Sequence, residues 1–204
     1  MDWALNALRG VPGVMEIVVA PVGEVSKEVR AILHQARNFE IKVAEPEPSR
    51  VAAVRAALRL GRPTGRVLIH DPDRPLVSAA GLTSLLAASS RSVAAVTAVQ
   101  VKSTFKSALG GAVLATLPRN RLFHLQSPRI FDRPTLDAIL DRCLTEEWSS
   151  TDELEAARLA GVRLRLLQGD YFNVRIAIPA DIEFAEMALS RKFWPLETWP
   201  KSRP

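Results

Sequence analysis

The feature that most restricts the fold is an alternation of short apolar runs, rich in β-branched residues, with helical stretches. Met15–Ala20, Ile41–Val43, Val67–Ile69 and Val93–Val101 read as strands, and Asp2–Leu8, Val25–Ala36, Ser49–Leu60 and Ala79–Ser89 as helices among them. Strands separated by helices pair in parallel, because a tight turn cannot join parallel neighbours. The class predicted is therefore α/β: a Rossmann-like mixed, mainly parallel sheet with helices on both faces. Gly10, Asn38 and Gly61 stand where the first three helices should stop.

The second half changes character. Val99–Phe105 and Ala112–Leu117 flank Gly110-Gly111, which predicts a hairpin, an arm over about residues 99–121 that projects from the main sheet. Val162–Leu167 and Val174–Ile178 read as two further strands, and Pro134–Glu147, Ser150–Leu159 and Ala180–Ser190 as helices. The expected organisation is a single domain over residues 1–192. An extended tail follows over residues 193–204, where three prolines and two tryptophans rule out a regular helix.

Length and composition, 204 residues that are 48% hydrophobic, suffice for one self-supporting core. Cys143 is the single cysteine, so no disulfide forms within the chain, and a cytoplasmic location is expected. No run approaches the ~20 apolar residues of a membrane span, and Met1-Asp2-Trp3-Ala4-Leu5 lacks the basic and apolar regions of an export signal. The net charge is +5, but the cations are scattered and aromatics are 6% of residues. That pattern lacks the basic, aromatic-interleaved stripe of a nucleic-acid surface and fits a phosphorylated small molecule.

The sharpest local signal is Arg66-Val-Leu-Ile-His-Asp71-Pro-Asp-Arg74-Pro75, a strand that runs into two carboxylates and an arginine. In doubly wound sheets the ligand crevice lies at the carboxyl ends of the strands. Asp71 suits a hard cation such as Mg²⁺, and Arg74 suits a phosphate or Asp71 itself; a plain strand-ending turn accounts for the same residues equally well. Thr104 and Arg119, taken by themselves, read as solvated positions on the hairpin rather than as site residues. Ser150 with Glu153 fits a capping box, which needs no ligand. His34, His70 and His124 are far apart and read as structural.

Six segments recur together in a known order. They are His70-Asp71-x-x-Arg74-Pro75, Lys102-Ser-Thr104-Phe-Lys106, Arg119-Asn-Arg121-Leu-Phe123, Gln126-Ser-Pro128, Ser150-Thr151-Asp152-Glu153, and Asn173-Val-Arg175 through Asp181 to Glu186. In this the chain resembles the 2-C-methyl-D-erythritol 4-phosphate cytidylyltransferases over roughly Asp2 to Leu189. The resemblance implies CMP transfer from CTP to a sugar-alcohol phosphate with Mg²⁺, and a homodimer formed through the arm. It assigns Asp71 to nucleotide and metal, Arg74 and Thr151 to the substrate pocket, and Thr104 and Arg119 to an arm that reaches the partner's substrate. Arg175 stands where the family has a lysine near the α-phosphate, and Arg50 opens the segment Arg50-Val-Ala-Ala53 beside the nucleotide.

The departures from the pattern carry expectations of their own. The family's glycine-rich loop has no counterpart, Ala53 replaces a customary serine, and Pro72-Asp73 occupies a place where small residues are usual, one suited to altering the pocket. Phosphoryl-type transfer relies on positioning and electrostatics, so the chain as written is expected to be a poor enzyme, and a start further upstream or a truncated gene is the favoured explanation. The strand that precedes the glycine-rich loop in the family, central in its sheet, is missing with it, so Met15–Ala20 and Val67–Ile69 should either pair directly or leave open edges. A non-catalytic binding or regulatory relative, and transfer to another polyol phosphate, are the competing readings.

Overall fold

The computed structural model describes residues 2–36, 41–88 and 94–190. In chain order the elements are α1 (Asp2–Arg9), β1 (Ile17–Val19), α2 (Lys27–Ala36), β2 (Ile41–Val43), α3 (Arg50–Leu60), β3 (Arg66–Ile69), α4 (Ala79–Ala88) and β4 (Ala94–Gln100). There follow β5 (Phe105–Leu109), β6 (Ala112–Leu117), β7 (Phe123–Asp132), α5 (Arg133–Thr145), α6 (Glu153–Leu159), β8 (Leu164–Gln168) and α7 (Pro179–Ser190). The expected tail at 193–204 and the side chain of His34 lie outside the described residues.

The main sheet has the order β3-β7-β4-β8. β4 and β8 pair in parallel, and β7 runs antiparallel to both β3 and β4, so three of the four strands share one direction. Every residue of β4 from Ala94 to Val99 is buried. Since successive side chains of a strand point to opposite faces, both faces of this sheet are covered. One cover is a core of Val51, Val54 and Leu58 from α3, Leu136, Ile139 and Leu140 from α5, and Leu154 and Ala157 from α6, closed against Val96 and Phe131. A second cluster joins Leu76 to Ala185 and Ala188 of α7. The α/β class expected from the alternation is what the chain adopts.

β1 and β2 form a separate parallel pair, in register from Ile17↔Ile41 to Val19↔Val43, packed on Leu5 of α1. Of the two expected outcomes for β1 and β3, direct pairing is not the one seen. β1 pairs with β2 and β3 with β7, each strand has one edge without a partner strand among the described residues, and all seven of their residues are only partly buried.

Several expectations need correction. The hairpin is there, turning on Gly110 and Gly111 at φ 56° and 82°, a left-handed pair that tight hairpins require. Its first strand is Phe105–Leu109, however, and not Val99–Phe105, because β4 runs to Gln100 and pairs with β7 up to Phe123. Val174–Ile178 is not a strand; it is irregular chain tied by Ile176 N–H to the carbonyl of Asp73. β7, ten residues long and central, breaks the apolar pattern with Gln126-Ser127-Pro128-Arg129. The Ser127–Pro128 peptide is cis, and the pairing register of β4 shifts between Val96 and Ala98, opposite this segment. A proline is tolerated inside a sheet at such an irregularity. Finally, α6 is capped by Asp152, whose carboxylate accepts from Leu154 N and Glu155 N, so Ser150 and Glu153 form no capping box.

Candidate active site at the strand ends

Because β3, β4 and β8 point the same way, the turn after β3 (residues 70–74) and the loop after β8 (residues 169–178) emerge at one edge of the sheet. The middle of β7 stitches them together. Ser127 Oγ accepts from Asp71 N at 3.0 Å and donates to His70 Nδ1 at 3.1 Å. With Nδ1 accepting, His70 carries its proton on Nε2 and donates it to the carbonyl of Arg74 at 3.1 Å. Burial drives His70 down to about 4, with the Arg74 carbonyl and Asp71 opposing, so the ring is neutral at physiological pH and acts as a latch for the turn.

The loop after β8 is held in the same manner. Gln126 Nε2 donates to the carbonyls of Asp170 and Asn173 at 2.8 and 3.3 Å, while its oxygen accepts from Asp170 N. Asn173 Nδ2 donates to the carbonyl of Ser127 at 2.7 Å. Gly169 is required here, since a Cβ would lie 2.3 Å from Gln126 Oε1 and 3.0 Å from the backbone of Ala98. Arg74 is buried and reaches across, Nη1 to the carbonyl of Asn173 at 2.8 Å and Nη2 to that of Leu125 at 3.4 Å.

Asp71 sits at the centre of a charge network. Arg50, at the start of α3 with Ser49 as its N-cap, places Nη2 2.8 Å from Asp71 Oδ1, and Arg129 places Nη2 3.8 Å from Asp71 Oδ2. Both arginines are anchored on Glu153, which is 0% exposed: Arg50 donates Nε to Oε2 at 2.8 Å and Nη2 to Oε1 at 3.0 Å, and Arg129 donates Nη1 to Oε1 at 2.5 Å. Burial pushes the carboxyls of Asp71 and Glu153 up, but the two guanidiniums more than offset it and hold both below the usual carboxylate range. Burial likewise draws Arg50 down, and Glu153 and Asp71 outweigh it, leaving Arg50 above its ordinary value. A carboxylate taken wholly out of water survives as an anion only with such partners.

The expected site residues fall into two groups. Asp71, Arg50, Arg74 and Arg175 come together, the last through Asp73, whose Oδ2 accepts from Arg175 Nε at 2.6 Å. Thr151 stands exposed beside Asp152, which lies 3.7 Å from Arg129. Thr104 and Arg119 lie on the arm, where both are exposed, and no hydrogen bond or ion pair among the described residues joins them to the Asp71 network. Arg119 Nη1 donates to the carbonyl of Lys102 at 3.3 Å. A cavity of about 450 Å³ at the foot of the arm is lined by Gln100, Lys102, Arg119 and Asn120, and Lys102 lies over the Tyr171 ring of the loop after β8 at 3.7 Å.

Arg129 has no place in the sequence pattern above, and Ser127 and Glu153 stand there only within shared segments and a capping box, with no role at the site. The available signal was an arginine set between Pro128 and the apolar pair Ile130-Phe131, since Arg is almost never fully buried unless paired.

Asp71 Oδ1, Asp73 Oδ1, Arg74 Nε, Arg129 Nε and Asn173 Oδ1 are buried without a hydrogen bond. Native proteins leave few such groups, and a concentration of both donors and acceptors at the carboxyl ends of parallel strands suits a polar, anionic ligand. For Mg²⁺, Asp71 offers one carboxylate, whose Oδ1 already has Arg50 Nη2 at 2.8 Å, and no group of three or more His, Cys, Asp or Glu exists among the described residues. The residues therefore fit an ion that shares one carboxylate with substrate phosphates, as Mg²⁺ commonly does, and not a cage made of protein alone.

The profile of the IspD family, 2-C-methyl-D-erythritol 4-phosphate cytidylyltransferase, matches residues 1–191. The enzyme of that name from Halorhodospira halophila is 34% identical over 196 residues, 93% of this chain and 81% of the relative. That from Halalkalibacterium halodurans is 33% identical over 195 residues, 94% and 80% respectively. The crystal structure of the Thermus thermophilus enzyme superposes with a TM-score of 0.74 at 26% identity, covering 93% of this chain and 88% of that one. In sequence and in fold alike, this chain belongs to the 2-C-methyl-D-erythritol 4-phosphate cytidylyltransferase family.

Proposed function

We propose that the protein transfers CMP from CTP to 2-C-methyl-D-erythritol 4-phosphate. An oxygen of the acceptor phosphate attacks the α-phosphorus of CTP, the bond to the bridging oxygen of the β-phosphate breaks, and pyrophosphate leaves. The observation that carries this reading is the set of buried polar atoms without a hydrogen bond around Asp71, Arg74 and Arg129 at the carboxyl ends of β3 and β8. Family membership narrows the polar ligand from phosphates in general to a nucleotide and a sugar-alcohol phosphate.

In this scheme Asp71 would hold Mg²⁺, which when bound supplies charge neutralisation for the triphosphate. Arg50, fixed by Glu153, keeps Asp71 ionised and sets its orientation. Arg175, 64% exposed, faces solvent and stabilises the negative charge that grows on the α-phosphoryl group. Arg74 keeps the turn after β3 and the loop after β8 at a constant separation, so that Asp71 and Arg175 act on one phosphate. Thr151 lies at the rim on the acceptor side. Thr104 and Arg119 serve the acceptor of a second copy, the apolar and exposed arm forming the homodimer contact.

One observation favours a second reading, a binding relative without turnover. Arg50, Arg129 and Arg175 are each paired with Asp71, Asp73, Asp152 or Glu153, so the charges of the described site are largely balanced before any triphosphate arrives. The two readings part on calorimetric titration of the full chain with CTP and Mg²⁺, followed by pyrophosphate release with 2-C-methyl-D-erythritol 4-phosphate. Transfer predicts binding and release, both abolished in Asp71→Asn; binding of the sugar phosphate alone, with no release, establishes the second reading and ends the first.

A further inference from the structure

We infer that Asp73 is a positioning residue, which holds the Arg175 guanidinium by Nε so that its two terminal nitrogens are presented to the transferring phosphoryl group. This rests on the nucleotidyl-transfer reading above and extends it to a residue that neither the reading nor the strand-end geometry by itself assigns.

An exposed arginine in irregular chain has a long, freely rotating stem and holds no fixed direction. Arg175 is such a residue by sequence and by exposure, yet two contacts tie it down, both to the same partner. Ile176 N–H donates to the carbonyl of Asp73 at 2.8 Å, which joins the backbone beside Arg175 to the turn after β3. Arg175 Nε donates to Asp73 Oδ2 at 2.6 Å. The guanidinium is a planar, rigid fork, so a fixed Nε also fixes the directions of Nη1 and Nη2. Neither terminal nitrogen has a hydrogen bond or ion pair of its own among the described residues.

Asp73 is itself well placed for the task. It is less exposed than Arg175, 30% against 64% at the side chain, and its Oδ1 is buried. The next residue, Arg74, is clamped to the carbonyls of Asn173 and Leu125. The turn that carries Asp71 thus also sets the direction of the cation that comes from the other loop. A carboxylate that merely competed with phosphate for Arg175 would have the opposite effect on nucleotide binding, and this difference makes the assignment testable.

The experiment uses the full chain as parent, Asp73→Ala, Asp73→Asn, Arg175→Ala and the Asp73→Ala/Arg175→Ala double variant. CTP·Mg²⁺ affinity is read by calorimetry, and kcat and KM by pyrophosphate release with 2-C-methyl-D-erythritol 4-phosphate. Asp73→Ala is expected to lower kcat roughly 10- to 100-fold, the scale of a misplaced catalytic group, with KM for CTP close to that of the parent. Asp73→Asn should restore most of the rate, because its amide oxygen still accepts from Nε. In the Arg175→Ala background, removing Asp73 should cost nothing further. Tighter CTP binding by Asp73→Ala with kcat intact would show a competitor and overturn the assignment, as would equal damage from Ala and Asn or additive losses in the double variant. A parent that neither binds CTP nor releases pyrophosphate fails the transfer reading itself, which is seen before any variant is compared.

Discussion

The Asp71 network and the arm are built on opposite plans. Around Asp71, each functional residue is held by one remote in sequence: the Arg50 side chain by Glu153, the Asp71 backbone N–H by Ser127, the Arg175 side chain by Asp73, with separations of 103, 56 and 102 positions. On the arm, the contacts are local, between paired strands and a short turn, and the apolar residues Leu109, Val113 and Leu114 are 75%, 65% and 64% exposed. One region is preorganised within a single chain; the other has a conformation but no neighbour to work against. In the proposed homodimer, a site assembled from both would take Thr104 and Arg119 from a second copy.

The largest effect should come from breaking the first plan. Glu153→Gln leaves the buried Arg129 and the partly exposed Arg50 with a neutral partner at their shared anchor, and a loss of about 3–5 kcal/mol in unfolding free energy is expected, measured by urea denaturation. A loss below about 1 kcal/mol would mean that the network is solvated and does not buttress Asp71.

Next in size is the pH response of the latch. His70 binds its proton less readily in the folded state, about 4, than the ordinary 6.5, so between those values the unfolded chain takes up a proton that the folded chain does not. Stability should therefore fall as pH drops from 6.5 to 4, by on the order of 3 kcal/mol in total. His70→Asn, with no titrating ring, should flatten this slope in thermal melts taken across that window. Asp71 and Glu153, held below the usual carboxylate range, contribute stability that disappears only at still lower pH, as each is finally protonated.

The smallest effects on the isolated fold should come from the arm. Leu114→Ser is expected to change unfolding free energy by less than about 0.5 kcal/mol, the usual outcome at exposed positions, while sedimentation shows a shift from dimer to monomer. Arg119→Ala should leave both stability and CTP affinity unchanged and raise KM for the sugar phosphate. Equal damage to CTP binding would place Arg119 in the Asp71 network and erase the contrast between the two regions.

The uneven legibility of this molecule has physical causes. Alternating apolar runs revealed the class, most helices and the turn after β3, because periodicity and strand-end turns are local signals. Asp71 and Arg74 stand out at a strand end but fit a plain turn equally well, and the order of short segments shared with a family tips the balance; Arg175 is legible through that order alone. β7 was missed although it is the longest strand, since Gln126-Ser127-Pro128-Arg129 interrupts its apolar run and the interruption is itself what binds the two loops. Glu153 was assigned to a helix cap because its spacing from Ser150 suits one; in the fold Asp152 takes the cap, and Glu153 turns inward to two arginines that no local pattern could have named.

By itself, then, the sequence determined most of the helices, the strands β1 to β4, the turn on Gly110-Gly111, and which residue types stand at the end of β3. These follow from backbone sterics and from the period of apolar side chains, both properties of neighbouring residues. The tertiary structure alone decided that β7 runs antiparallel through the sheet, that β1 and β2 stand apart from β3, and which carboxylate each arginine meets. Those outcomes depend on desolvation: a buried charge must find its partner wherever the packed chain brings one within reach, however distant it is in sequence.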